Sequence, residues 1–249
     1  MKNDKEEFSI KLKQAENILF FTGAGISAES GISTFRGVDG IWNKLKPEEL
    51  ANFSAFLKNP DMVWEWYQYR RKIINESKPN AGHLAIAEME KYFKDVTVVT
   101  QNVDNLHRRA GSTKIYELHG NIERNYCIDC RTFYNSPDFA AEEKAPRCKC
   151  GGLIRPDVVW FGEFLPEDQF SASEAAAEKC DICFVIGTSA VVYPAAQIPL
   201  LAHRYGAYLV DINLEWTELT QIADYSVQGK AGEILPKILK EVKEIKSVI

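Results

Sequence analysis

The run Ile18-Leu19-Phe20-Phe21 passes without a polar break into Thr22-Gly23-Ala24-Gly25-Ile26-Ser27-Ala28. A short continuous apolar run that ends at a glycine turn reads as a strand buried on both faces, the kind found in parallel sheets covered by helices. The turn itself spells Gly-x-Gly-x-x-Ala. Small residues at these positions let the backbone approach a pyrophosphate and let the next helix pack close to the strand, because glycine has no Cβ in the way. A glycine-rich loop of an α/β core has the same spelling, and on these residues alone both readings stand. Ser30-Gly31-Ile32-Ser33-Thr34-Phe35-Arg36-Gly37 then puts an aromatic and a guanidinium just beyond the turn, where a bound dinucleotide would lie. A dehydrogenase also needs an acidic residue about 20 positions downstream, at the end of the second strand. Here that stretch is Ile41-Trp42-Asn43-Lys44-Leu45-Lys46, neither a buried strand nor acidic, so an ordinary dehydrogenase is not expected.

Further apolar strands are expected at 96–99, 115–118, 182–186 and 208–212, with helical patterns between them such as 83–92 and 195–204. This alternation predicts an α/β fold with a doubly wound parallel sheet. An amphipathic covering helix is expected from residue 233 onward. Ligand groups in such sheets cluster just past the C-terminal strand ends. Thr100-Gln101-Asn102-Val103-Asp104-Asn105-Leu106-His107 is such a cluster, and so are His119-Gly120, Gly187-Thr188-Ser189 and Asp211-Ile212-Asn213. His119 reads either as a satisfied strand-end histidine or as a functional one.

Six cysteines divide into two groups. Cys127-x-x-Cys130 and Cys148-x-Cys150 form two close pairs, followed by Gly151-Gly152. Two such pairs supply four thiolates for one structural zinc. The competing reading is a pair of disulfides, which requires an oxidising compartment. Cys180 and Cys183 lead into an apolar strand and read as core thiols. Four thiolates leave no open position for water, so the metal is expected to be structural.

Net charge is −5, which does not favour a general affinity for nucleic acid. The opening Met1-Lys-Asn-Asp-Lys-Glu-Glu carries charges where a secretory signal needs an apolar core, and no apolar run approaches the roughly 20 residues of a membrane span. A cytoplasmic chain without membrane partners is expected.

Gly-Ala-Gly-x-Ser, Ser-Gly-Ile-x-x-Phe-Arg-Gly, Thr-Gln-Asn-x-Asp-x-Leu-His, Leu-His-Gly and the cysteine cluster, in this order from about Ile18 to Glu233, resemble the sirtuins. These are NAD-dependent protein-lysine deacylases. The second cysteine pair departs from the family's usual Cys-x-x-Cys. The resemblance implies a Rossmann-like NAD-binding unit from residues 1–38, 81–120 and 155–249, with an inserted helical module at 39–80 and an inserted zinc-binding module at 121–154. It implies NAD contacts at Gly23, Ala24, Gly25, Ser27, Phe35, Arg36, Gln101, Asn102, Asp104, Gly187, Thr188, Ser189, Asn213 and Ala231, and one structural zinc on Cys127, Cys130, Cys148 and Cys150. NAD is then a consumed co-substrate. Nicotinamide leaves, the acyl oxygen of an acyl-lysine takes its place, and the ribose 2′-hydroxyl closes on the acyl carbon after loss of a proton. His119 is implied as the base and Asn102 as the group that orients ribose or water. Asp104 would hold the nicotinamide carboxamide, beside Val103.

The resemblance also implies a peptide segment at Val159, Phe161, Gly162 and Glu163, opposite Val192, where a substrate adds as a strand. Tyr67-x-x-Arg70 shares one helix face by its spacing. It is similar to the acyl pocket of sirtuins that remove succinyl and malonyl groups, with Ala51 leaving room at the pocket's end. A surface arginine on a packing helix is the plainer reading. The function expected is desuccinylation and demalonylation with deacetylation, releasing O-acyl-ADP-ribose from acylated-lysine proteins. The alternatives are mainly a deacetylase, or an NAD-hydrolysing or ADP-ribosyl-transferring enzyme at the same site.

Overall fold

The computed structural model describes residues 2–35, 41, 46–139, 142 and 144–248. Its strands are β1 (Asn17–Thr22), β2 (Asp95–Thr100), β3 (Ile115–Glu117), β4 (Gly120–Cys127), β5 (Phe133–Asn135), β6 (Ile154–Val158), β7 (Ile182–Ile186), β8 (Tyr208–Asn213) and β9 (Tyr225–Gln228). Its α-helices are α1 (Lys2–Gln14), α2 (Pro47–Leu50), α3 (Phe53–Lys58), α4 (Pro60–Glu76), α5 (Ala81–Met89), α6 (Leu106–Ala110), α7 (Glu167–Ala177), α8 (Gln197–Arg204) and α9 (Ala231–Ile245).

Six strands form one sheet in the order β3-β2-β1-β7-β8-β9, and every pairing is parallel. Successive residues of β1 and β7 point to opposite faces and both faces are covered, which is why these strands are apolar throughout rather than alternating. On one face Phe20, Val98, Phe184 and Val210 pack against Phe8 and Leu12 of α1, Ile86 and Met89 of α5, and Leu235 and Ile238 of α9. On the other face Leu19, Val185 and Leu209 meet Ala177 of α7 and Ile198 and Ala202 of α8. The fold is the doubly wound α/β arrangement. The order of strands reverses between β1 and β7, so the crevice beyond their C-terminal ends is the switch point where such sheets bind ligands.

A second, antiparallel sheet runs β5-β4-β6. It takes in Gly120–Cys127 and Ile154–Val158, and so runs past 121–154 at both ends. Ile122 of β4 and Trp160 just after β6 share one core with Phe56 of α3, Val63, Tyr67 and Ile74 of α4, Leu106 of α6 and Val103 before it. Around the cysteines the buried apolar set is much smaller, with Cys127, Cys148 and Ile154 backed by Tyr134 and Phe139. Among the described residues, no helix is long and apolar enough to cross a membrane.

Candidate active site

The turn after β1 is a 3-10 helix over Ala24–Ser30, closed by Gly31 in the left-handed region. Its glycines are fitted against the loop after β7. Gly23 N donates to Ile186 O at 3.0 Å, and Gly25 N donates to Gly187 O at 2.8 Å. A Cβ on Gly25 would stand 2.6 Å from Gly187 Cα, and one on Gly23 would stand 2.6 Å from Thr188 Cβ. Gly25→Ala therefore forces two backbones apart. It is expected to cost about 1–3 kcal/mol, the scale of core overpacking, read as a fall in Tm; an unchanged Tm would show that the loops can part freely.

Behind the turn lies a buried polar cluster. Ser27 Oγ donates to Asp104 Oδ2 at 2.6 Å, and Asn102 Nδ2 donates to Gly23 O at 3.0 Å and Ser27 Oγ at 3.2 Å. Burial pushes the Asp104 carboxyl above the usual carboxylate range, against the pull of Ser27, the Leu106 amide, Arg70 and Arg109. Two residues that the motif assignments left without a role complete the cluster. His83 Nε2 lies 3.5 Å from Ser27 Oγ, His107 Nε2 lies 3.0 Å from Thr22 Oγ1, and the two rings are 4.9 Å apart. Burial lowers both imidazoles, His83 to about 4, which keeps them neutral. The signal for His83 was available in Asn80-x-x-His83, which forms a reciprocal cap at the start of α5. Asn80 also ties this helix to the glycine turn through Ile26 O at 2.7 Å.

His119 stands between β3 and β4. Its Nδ1 is 2.9 Å from Gln101 O. A carbonyl only accepts, so Nδ1 carries the proton and Nε2 keeps its lone pair. Burial holds the His119 pKa below its ordinary value, while the bond to Gln101 pulls it up. Gln101 is itself held, with Nε2 donating to Thr188 Oγ1 at 2.9 Å. Thr188 O in turn accepts from Asn213 Nδ2 at 2.8 Å, and Asn213 Oδ1 accepts its neighbour Leu214 N at 2.9 Å. Asn213 thus braces the β7 loop. Ser189 is exposed, and Ala24 is half-buried. Ala231 is buried in the first turn of α9, against Gly82. Arg36 and residues 42–45 lie outside the described residues.

The candidate acyl pocket is assembled on α4. Tyr67 is enclosed, its hydroxyl accepts Trp160 Nε1 at 2.7 Å, and burial pushes its pKa up to about 12. Arg70 is 7% exposed and sits between the rings of Phe35 at 4.6 Å and Trp66 at 5.3 Å. Among the described residues its guanidinium has no hydrogen-bond acceptor, and burial lowers its pKa. Ala51 is buried beside Tyr67, and its carbonyl accepts Phe161 N at 3.0 Å. Val159 N donates to His119 O at 3.0 Å, so this segment runs directly past the histidine. Phe161 and Gly162 are exposed, whereas the Glu163 carboxylate turns inward onto Arg155 and the Trp160 amide. Val192 is half-buried in the loop before α8, with its carbonyl on Ala196 N at 2.9 Å.

The four cysteine sulfurs lie within 4.8 Å of one another, with Cys127 to Cys150 and Cys130 to Cys148 at 3.5 Å. Zinc–sulfur bonds of about 2.3 Å in a tetrahedron put sulfurs about 3.8 Å apart, so this donor set fits one zinc.

Residues 23–194 match the model of the Sir2 family. This chain belongs to the Sir2 family. It is 50% identical over 245 residues to a protein of Pyrococcus furiosus named NAD-dependent protein deacylase, covering 96% of this chain and 98% of that one. The crystal structure of a Sir2 homolog–NAD complex is similar with a TM-score of 0.91 and 44% identity, over 97% of this chain and 95% of the other. A Sir2–p53 peptide–NAD+ structure is similar with a TM-score of 0.86 and 34% identity, over 96% and 98% of the two chains. The fold of this Sir2-family chain is therefore shared along nearly its whole length.

Proposed function

We propose that this Sir2-family chain is an NAD-dependent protein-lysine deacylase that favours succinyl- and malonyl-lysine and keeps some deacetylase activity. Relatives named as NAD-dependent deacylases support the reaction class, and a solved NAD complex of the same fold supports NAD as co-substrate. In this reading NAD supplies the ribose carbon that the acyl oxygen reaches when nicotinamide leaves. The loop of Gly23, Ala24 and Gly25 with Gly187, Thr188 and Ser189 lines the phosphate path, and Asn213 and Ala231 lie toward the adenosine. Ser27 and Asn102 orient Asp104, which receives the carboxamide. Asn102 also orients ribose or water, Phe35 excludes water from the reacting face, and Arg36 assists the phosphates. His119 Nε2 removes the ribose hydroxyl proton. Residues 39–80 and 121–154 act as the smaller lobe over the cleft.

The peptide is taken as an added strand by the 159–163 segment and Val192. Among the described residues no other backbone group takes the Val159 carbonyl or the Gly162 amide. The observation that carries the acyl preference is Arg70, a residue only 7% exposed whose guanidinium has no hydrogen-bond acceptor among the described residues. A buried charge is costly unless it is paired. The Asp104 carboxyl attracts Arg70 without a hydrogen bond to it, and a carboxylate at the end of an acyl chain supplies the acceptor to which the planar fork donates bidentately. Acetyl-lysine brings no such group.

The test is kcat/KM for succinyl-, malonyl- and acetyl-lysine peptides with NAD. Charge-assisted hydrogen bonds contribute about 1.5–3 kcal/mol each, so Arg70→Met is expected to lower desuccinylation by about tenfold or more and to change deacetylation little. Equal losses for both peptides would assign Arg70 to the fold. Nicotinamide release that does not depend on an acyl-lysine would instead mark NAD hydrolysis.

A further inference from the structure

Arg155 is a charged side chain enclosed almost completely, at 1% exposure. It stands in β6 opposite Tyr126 of β4, one residue from the Cys127–Ile154 pair of the same ladder. Its guanidinium carbon lies over the Trp160 ring, 3.3 Å from the centroid, and 5.3 Å from that of Tyr126. Among the described residues, every hydrogen bond of the guanidinium goes to Pro156 or Val158 of β6 itself or to Glu163 just beyond the strand. Nη1 and Nη2 meet the two oxygens of Glu163, with Nη2 to Oε2 at 2.9 Å, and Nη2 also donates to Val158 O at 2.7 Å. Glu163 Oε2 accepts Trp160 N at 2.8 Å, across a turn in which Gly162 has φ +86°. Trp160 Nε1 then donates to Tyr67 OH at 2.7 Å, on the helix that carries Arg70.

An ion pair with Arg155 enclosed and Glu163 part-exposed adds little net stability, because desolvation of the arginine cancels most of an attraction that solvent already weakens. What it does supply is geometry. The bidentate fork sets the orientation of Glu163, Glu163 sets the Trp160 amide, and the Trp160 indole sets the Tyr67 hydroxyl. We infer that Arg155 and Glu163 are a positioning pair that shapes the 158–163 peptide rail and, through Trp160, the Tyr67 wall of the acyl pocket. The inference rests on the deacylase reading, and it moves Glu163 from touching the substrate to holding the segment that does. The pair also joins the ladder that carries Cys127 to the pocket, so the cysteine module and acyl recognition share one rigid connection.

Glu163→Gln keeps the shape but replaces one accepting oxygen with an NH2 donor, which faces the N–H donors of Arg155 or Trp160 and accepts from neither. A displacement of about 1 Å in a positioned substrate is enough for large kinetic losses, so KM for the acyl-lysine peptide is expected to rise about tenfold while kcat, KM for NAD and bound zinc stay within about twofold. A purely structural pair would move Tm and all kinetic constants together, and that result overturns the inference, as does an unchanged peptide KM. Trp160→Phe provides a second measurement should Glu163→Gln fail to fold. It keeps a ring for Arg155 and removes the donor to Tyr67, and the smaller ring also leaves space beside Tyr67 and Phe56, so the readout is a ratio between two substrates rather than an absolute rate. It is expected to lower the ratio of desuccinylation to deacetylation by about threefold or more, the scale of one lost hydrogen bond. An unchanged ratio overturns the link to the acyl pocket. Wild-type protein with no turnover of any acyl-lysine peptide would instead defeat the deacylase reading itself.

Discussion

His119→Ala is expected to lower turnover by about 10²-fold or more, the usual loss for removing a general base. Binding of NAD and acyl-peptide should change by no more than about twofold, because the imidazole is proposed to act after the first bond has formed. The geometry separates this role from packing. Nδ1 is committed to Gln101 O, which leaves Nε2 as the accepting nitrogen. His119→Asn keeps a donor for Gln101 O but offers no base, and should be as slow as the alanine variant. If His119→Asn were near wild type, the residue would be a brace for Gln101 rather than a base. The pH profile gives a further check. The active form is the neutral imidazole, so kcat falls as pH drops through the His119 pKa. Burial lowers that pKa, which places the acid limb below the ordinary histidine value and keeps the base available at neutral pH. This limb should be missing from the residual activity of both variants.

The sheet was legible because its strands are buried on both faces, and a short apolar run closed by turn residues suits few structures besides a covered strand. The expected segments at 18–21, 96–99, 182–186 and 208–212 fall within parallel strands, and 115–118 overruns its strand by Leu118 alone. Among the elements that escaped are α1 and β9. Helix α1 anchors itself through Phe8 and Leu12, one turn apart, but they sit among lysines and glutamates that dominate the local composition. Strand β9 is a four-residue edge, Tyr-Ser-Val-Gln, too short and too polar to show a period. At the site, the glycines of the β1 turn were read as room for a ligand. They are equally room for Gly187 and Thr188, a contact between loops more than 150 positions apart that no local pattern can announce. Tyr67 and Arg70 share a face as their spacing required, yet what defines their environment is Trp160, Phe35 and Trp66. Only Trp66 is near them in sequence. His83 and His107 became a pair for the same reason, brought together by two helix starts that the fold places side by side.

Loss of the metal is expected to unfold the cysteine module, and it is the largest effect on stability that this chain should show. Around the four sulfurs the buried apolar set is Cys127, Cys148 and Ile154, with Tyr134 and Phe139 leaning on it. That is too little to order a segment against its conformational entropy. Short turns bring the sulfurs together, as in Cys148 N donating to Gly152 O at 2.8 Å. Tyr134 OH lies 3.0 Å from Cys148 Sγ, placed to donate to a thiolate. Structural zinc in small domains supplies about 10–16 kcal/mol of apparent binding free energy at neutral pH, all of which counts toward folding when the empty segment has no structure. Metal analysis should therefore find one zinc per chain. Cys148→Ala should lose it, and a protease should then cut within residues 121–154. Because β6 leads directly into the peptide rail, deacylation should fail with the module even where NAD still binds. Cys180→Ala is the control. Cys180 and Cys183 have metal-like spacing, but Cys183 lies in β7 and is packed within the apolar core, and neither thiol joins the four-sulfur cluster. That variant should keep its zinc. Zinc-free protein that is folded and active would overturn the structural role, and loss of zinc from Cys180→Ala would reassign the ligands.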